Sequence, residues 1–267
     1  MLGRRRSAGR DCDAGRQCDP AISLEAVVVE HDGLQALEDV TFAVPSGTLM
    51  GVVGPNGAGK STLFDAIAGV HPIASGQVTL SGAGRRREAL AYVPQRDSIN
   101  WRFPATALDV VMMGLIRRIP WYRRPGRQHR DVARSCLERV RLWDRRGALM
   151  TELSSGQRQR VFIARALAQD ARILLLDEAF SGVDVAAQEG IVRVLQSLRD
   201  EGRIVLLATH DLTNLAQRFD QVLCINRHVC ACGPPAEAFT PDVLEELYGS
   251  HGVEFAEESG LSTRRRS

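Results

Sequence analysis

The chain has 267 residues, 44% of them hydrophobic, and a formal net charge of +2. That length holds a full core, as one large domain or one domain with an inserted lobe, and the small net charge supplies no general affinity for polyanions. No apolar stretch approaches the roughly 20 residues of a membrane span, and the Arg-rich start lacks the apolar segment of a signal peptide; the chain is read as cytoplasmic, with its six cysteines (Cys12, Cys18, Cys136, Cys224, Cys230, Cys232) reduced.

Residues 1–20 are polar and rich in Arg, Asp and Gly, and residues 250–267 end in SGLSTRRRS; both read as flexible tails. Four short strand-like runs cluster early: AVVVE at 26–30, VTFAV at 40–44, LMGVV at 49–53 and QVTLS at 77–81. After the third comes GPNGAGKST, made of Gly54, Pro55, Asn56, Gly57, Ala58, Gly59, Lys60, Ser61 and Thr62, and then a helical run. The pattern G-x-x-x-x-G-K-[ST] between a buried strand and a helix is a phosphate-binding loop. Its backbone N–H groups and helix dipole point at phosphate oxygens. Lys60 is placed to reach the β and γ phosphates and the Ser61 hydroxyl to ligate Mg²⁺. Of the 34 Lys plus Arg residues, Lys60 is the single lysine and the other 33 are Arg. A slim ammonium enters a closed cradle that a planar guanidinium fits badly.

From about Phe103 to Glu152 no strand pattern appears, while DVVMMGLIRR and DVARSCLERVRLW have helical spacing. In the second, Val132, Cys136, Val140 and Trp143 fall on one stripe, which reads as packing within a helical lobe. The basic runs at 4–6, 85–87, 117–127 and 264–266 read as solvated surface rather than nucleic-acid sites, even with Trp121 and Tyr122 interleaved in the third. Beyond the lobe, RILLLD at 172–177 and RIVLLATH at 203–210 are apolar on both faces, as central parallel strands are, with a helix near 186–200 between them. QVLCI at 221–225 and HVCAC at 228–232 form a closing edge, and a last helix lies around 241–248. Cys230 and Cys232, two apart on a strand, share one face. That spacing suits ordinary packing more than a soft-metal site, because no further ligands recur at regular intervals.

Four segments after the phosphate loop complete a set. Gln95 stands in AYVPQR at the entry to the helical lobe; LSSGQRQR, with Ser154, Ser155, Gly156 and Gln157, opens a helix; Asp177 and Glu178 end a hydrophobic strand; His210 ends the next. Each has a plainer role: a surface glutamine, a helix N-cap, a turn cap, a structural histidine. Their order and spacing resemble the ATP-binding-cassette (ABC) ATPases over residues 24–248. The resemblance implies an α/β fold, a P-loop NTPase (RecA-like) core with an antiparallel β subdomain and an inserted α-helical subdomain. It implies one ATPase domain over 21–249, with the helical part at about 103–152.

The family pattern agrees with the chemistry in its roles: Asp177 holds Mg²⁺ through water, Glu178 orients or deprotonates the attacking water, Gln95 completes the metal and water shell, and His210 contacts the γ-phosphate. Residues 154–157 would bind the γ-phosphate of ATP held by a second copy, and Asp184 in SGVD would link the two sites. Three departures stand out. Ser155 replaces the usual glycine, Ala179 replaces the usual proline, and the adenine-stacking aromatic is missing, with His31 its nearest substitute.

YVPQRDSINWRFPATALDVVMMG, IPWYRRPGR, SGVD and GPPAEAFTP look like the subfamily of ABC importers for manganese, zinc or iron. That resemblance implies a peripheral subunit on the cytoplasmic face of the cell membrane, paired with itself on an integral-membrane permease and served by an extracytoplasmic substrate-binding protein. Trp101, Phe103 and Pro104 are then candidate docking residues, and no nucleic acid is expected. A soluble ABC ATPase acting on nucleic acid or ribosomes is the rival, and would ordinarily bring a coiled-coil insert or a second cassette. A catalytically weakened regulatory subunit, suggested by Ser155 and Ala179, is another.

Overall fold

The computed structural model describes residues 21–31, 33–81, 90–94, 104–210 and 215–249. Two sheets organise them. The smaller is antiparallel, in the order β2-β1-β4, from β1 (Ile22–His31), β2 (Leu34–Val44) and β4 (Ser75–Leu80). The larger has six strands in the order β5-β6-β7-β3-β8-β9: β3 (Leu49–Val53), β5 (Leu90–Val93), β6 (Ile173–Asp177), β7 (Ile204–Thr209), β8 (Gln221–Asn226) and β9 (His228–Gly233). The β5-β6, β6-β7, β7-β3 and β3-β8 pairs are parallel, and β9 closes the edge antiparallel to β8.

Strands β3, β6 and β7 are buried at every residue, so alternate side chains must enter two different cores. Met50, Val52, Leu175 and Leu206 face the small sheet and helix α1 (Lys60–Ala68), which inserts Leu63, Phe64 and Ile67. Leu49, Val53, Leu174, Leu176, Val205 and Leu207 face the opposite core. There they meet α4 (Ser155–Ala168) and α5 (Val185–Asp200), and through α4 the helices α2 (Ala107–Met113) and α3 (Arg127–Arg139) that lie between β5 and β6 in the chain. A central sheet with a full apolar core on each side holds its strand ends still, and the candidate site residues sit at those ends.

Short helices α6 (Leu215–Arg218) and α7 (Pro235–Ala238) and the helix α8 (Pro241–Tyr248) complete the described chain. α8 starts on a Thr240 side chain that accepts from the Val243 N–H, with Pro241 in its first turn, the favoured chemistry for a helix start.

Two local expectations are corrected. The stripe Val132, Cys136, Val140, Trp143 does not run on one helix: α3 stops at Arg139, Arg141 turns left-handed (φ 57°), and Val132 is 38% exposed. Ala133, Cys136 and Leu137 make the helix's buried face; Cys136 and Val140 do enter the core of the lobe and Trp143 packs against it, beneath the guanidinium groups of Arg134 and Arg146. Cys230 and Cys232 do not share a face. The β8-β9 register pairs Ile225 with Val229 but Cys224 with Ala231, so Cys230 is an extra residue in a β-bulge. The bulge sends Cys230 with Ala231 to one core and Cys232 with Val229 to the other.

Candidate functional site

Four neighbouring strands of the large sheet end on the same edge. β7 lies between β6 and β3, pairing Asp177 with Ala208 on one side and Val53 with Thr209 on the other. The phosphate loop therefore follows β3, His210 follows β7, and Asp177 and Glu178 end β6. This is the carboxyl-end crevice where open α/β sheets bind ligands. β5, the next strand over, leads toward Gln95, which lies outside the described residues, as do Trp101 and Phe103.

The loop from Gly54 to Gly59 is shaped by close backbone approach. A Cβ at Gly54 would fall 2.2 Å from the Ile225 carbonyl oxygen, and one at Gly59 2.7 Å from Leu37 Cδ2. Gly57 and Gly59 are left-handed (φ 80° and 93°), a conformation glycine adopts without steric cost. Gly59 caps α1 without a side-chain hydrogen bond, so the first-turn N–H groups are available to an anion. Lys60 is buried, and its Nζ donates to the carbonyls of Gly54 and Pro55 at 2.8 Å each. Burial pulls this ammonium below the usual lysine range, against the opposing pull of the Glu178 and Asp177 carboxylates. A desolvated cation held on carbonyl oxygens is well suited to exchange them for phosphate oxygens.

Asp177 is 3% exposed and receives a hydrogen bond from the Ser61 side chain, while its Oδ1 is buried without a partner among the described residues. Burial pushes its carboxyl above the usual range; the Ser61 bond and nearby Lys60 oppose this, and Glu178 and Asp65 add to it. A buried carboxylate oxygen without a donor, beside a hydroxyl, is a hard-oxygen pair that fits Mg²⁺. Tyr92 on β5 was not anticipated as part of this region. Its phenol donates to Asp65, one turn after Ser61 on α1, and burial together with Asp177 and Asp65 raises its pKa.

Glu178 is half-buried and has a left-handed backbone, φ 47°, which is strained for a residue with a Cβ and characteristic of functional sites. It turns the chain sharply after β6, where the Ser181 N–H donates to the Glu178 carbonyl at 3.0 Å. Glu178 and His210 line one cleft of about 410 Å³ with Phe180, Val183, Gln188 and Thr209. The wall is braced from behind: Gln188 Nε2 donates to the Val183 carbonyl, and the buried Arg218 reaches Gln188 and pairs with Glu189 at 2.8 Å. Neither Gln188 nor Arg218 had a local sequence signal.

Ser154 and Gln157 start α4 as a reciprocal capping box: the Ser154 side chain accepts from the Gln157 N–H, and Gln157 Oε1 accepts from the Ser154 N–H at 2.9 Å. Ser155 takes the first helical position, where a Cβ is tolerated. Gly156 is buried against the neighbouring segment, with an added Cβ only 2.8 Å from Ala187 Cβ and 3.2 Å from Val183 Cγ1. Asp184 caps α5, its carboxylate accepting from the Ala187 N–H at 2.9 Å. Thus residues 154–157 and 184 lie together around α5, and among the described residues no hydrogen bond or ion pair joins residues 154–157 to the phosphate loop. His31 is exposed and engaged with His71, Nδ1 to Nε2 at 3.0 Å; Pro104 is exposed.

A protein-family model described as ABC transporter matches residues 37–181. The chain is 40% identical over 238 residues to the manganese transport system ATP-binding protein MntB of Halalkalibacterium halodurans, covering 89% of this chain and 95% of that one. It is 41% identical over 231 residues to the zinc transport system ATP-binding protein TroB of Treponema pallidum, covering 86% and 87%. Among solved structures it resembles an inward-facing metal-chelate type ABC transporter (TM-score 0.78, 26% identity, 86% and 89% covered) and a dimeric bacterial ABC transporter cassette (TM-score 0.69, 27% identity, 79% and 97% covered). The chain belongs to the ABC transporter family, as one of its nucleotide-binding, ATP-hydrolysing cassettes. Among the described residues no helix is long and apolar enough to cross a membrane.

Proposed function

We propose that this chain powers import of a divalent metal ion, manganese, zinc or iron, as a peripheral subunit on the cytoplasmic face of a membrane. Two copies pair on an integral-membrane permease that an extracytoplasmic substrate-binding protein supplies. The ATPase domain is assigned to residues 21–249, with a helical subdomain at about 103–152 and tails at 1–20 and 250–267. Support for the cargo comes from the manganese and zinc relatives, together with a chelated iron transport relative from Yersinia pestis at 41% identity. The dimeric cassette that the chain resembles supports the pairing.

The chemistry is assigned residue by residue. The N–H groups of residues 54–62 and the Lys60 ammonium bind the β and γ phosphates. Ser61 and Asp177 would hold Mg²⁺, with Gln95 assigned to the same shell, and an ion held there would supply charge to offset what builds on the transferred phosphoryl group. Glu178 takes the proton of the attacking water, or orients it, and His210 steadies the γ-phosphate from the same cleft wall. Ser154, Ser155, Gly156 and Gln157 present a helix N-terminus to ATP held by the other copy, and Asp184 connects the two sites.

The observation that carries this reading is the meeting of a buried Asp177 Oδ1, unpartnered among the described residues, the Ser61 side chain and the strained Glu178 at one strand end. Replacing Glu178 with Gln is expected to preserve ATP binding, abolish turnover and accumulate an ATP-bound dimer measurable by light scattering. Undiminished hydrolysis would contradict the role of Glu178.

A further inference from the structure

Apart from the nucleotide site, one cluster of metal-ligating side chains stands out among the described residues, on the far edge of the large sheet. His228 opens β9, Cys230 is the bulged residue two positions on, and Glu246 projects from α8. One ligand atom from each lies within 4.8 Å of the others. His228 Nε2 is 2.7 Å from Glu246 Oε1 and 4.0 Å from Cys230 Sγ. We propose that His228, Cys230 and Glu246 form a binding site for a borderline-to-soft divalent cation of the zinc type, with solvent completing a fourth position.

The donor set argues for that class of ion. Imidazole nitrogen, thiolate sulfur and carboxylate oxygen are zinc ligands, whereas Mg²⁺, Ca²⁺ and Mn²⁺ prefer all-oxygen shells. Metal–ligand distances of about 2.0–2.3 Å put neighbouring ligand atoms of a tetrahedral site roughly 3.5 Å apart. The present spacing straddles that value, so small side-chain rotations close the Cys230 gap and open the His228–Glu246 contact to admit the ion.

The frame is already rigid. The bulge removes Cys230 from the simple alternation of β9 and directs it toward the core that α8 covers with Leu244 and Leu247. The turn just before His228 is pinned, since the Arg227 N–H donates to the Ala58 carbonyl and the Arg227 carbonyl accepts from Glu38. His228 and Glu246 are 48% and 41% exposed at their side chains, which leaves an entry path. A metal bound at Cys230 takes the thiolate, so the thiol proton passes to solution on binding. The ligands come from two elements, so occupation would clamp α8 to the sheet edge. The inference rests on these three residues alone and is independent of the transport reading.

The test uses the reduced full-length protein, titrated with Zn²⁺ against a chromophoric chelator and, separately, with Co²⁺ to read thiolate-to-metal charge-transfer absorption. The expected result is a zinc equivalent whose affinity falls by at least about tenfold in Cys230→Ser and His228→Gln and less in Glu246→Gln. The cobalt–thiolate band should vanish in Cys230→Ser and persist in Cys232→Ser, whose side chain faces the opposite core. Zinc and cobalt titrations of Cys230→Ser that match the unsubstituted protein would overturn the proposal. So would a band that depends on Cys232 and not on Cys230.

Discussion

The Ser61 hydroxyl donates to Asp177, and that bond joins the start of the phosphate-loop helix to the end of the central strand β6. It satisfies only part of the carboxylate, because Oδ1 is buried without a partner among the described residues. The fold therefore carries a desolvated anion that an incoming cation would relieve.

Asp177→Asn should stabilise the nucleotide-free protein while eliminating Mg-dependent ATP turnover. Burial raises the folded-state pKa of Asp177 above 3.8, so the folded chain holds this proton more tightly than the unfolded chain does, and stability falls as pH rises through that window. The substitution removes that penalty at neutral pH. The gain, read as a denaturation midpoint, should shrink as pH falls through the raised pKa toward 3.8. A destabilised variant at neutral pH would contradict the burial argument.

Lys60 is the one lysine of the chain, so amine-directed reagents have a single side-chain target besides the N-terminal amine. Its pKa lies below 10.5 because of burial. The pH profile of labelling, followed by peptide mass spectrometry, should therefore have a midpoint below that of a free lysine, and Mg-ATP should protect the residue. Lys60→Ala should lose transport-coupled ATPase activity. Labelling that ATP leaves unchanged would count against the phosphate contact.

Gly156→Ala would place a Cβ 2.8 Å from Ala187 Cβ. Overpacking of this kind costs about 1–3 kcal/mol, read as a lower urea midpoint with an unchanged slope. Combining it with Ala187→Gly should restore more stability than the two single effects sum to, since the residues touch. Strict additivity would show that the contact is not the cause.

Ser155→Gly restores the residue usual in the family. Because Ser155 occupies the first turn of α4 and the Ser154–Gln157 capping box does not use its side chain, removing that side chain should leave the helix N-terminus in place and change turnover by no more than a few-fold. A rise well beyond that in steady-state ATPase assays would favour the weakened regulatory subunit.

The shape of residues 54–62 was legible because it is set locally: glycines where the backbone approaches a neighbour, a lysine inside the cradle, a buried strand before and a helix after. The placement of Asp177, Glu178 and His210 at one sheet edge was legible for a related reason, as polar residues terminating runs that the sheet buries on both faces. What escaped is set by pairing across the sheet or by contacts distant in sequence. The Cys230 bulge exists only in register with β8, and periodicity within β9 alone predicts the wrong face. The end of α3 at Arg139 follows from a left-handed Arg141 that no glycine announces. The Tyr92–Asp65 bond, the Arg218 brace behind Gln188 and the need for glycine at 156 all depend on partners 27 or more residues away.

The most direct measurement is ATP hydrolysis by the chain reconstituted in vesicles with a candidate permease and a candidate substrate-binding protein, as each candidate solute is added to that binding protein. Stimulation by manganese, zinc or iron, abolished by Glu178→Gln, is the predicted result. Stimulation by an organic solute and by no metal would contradict it.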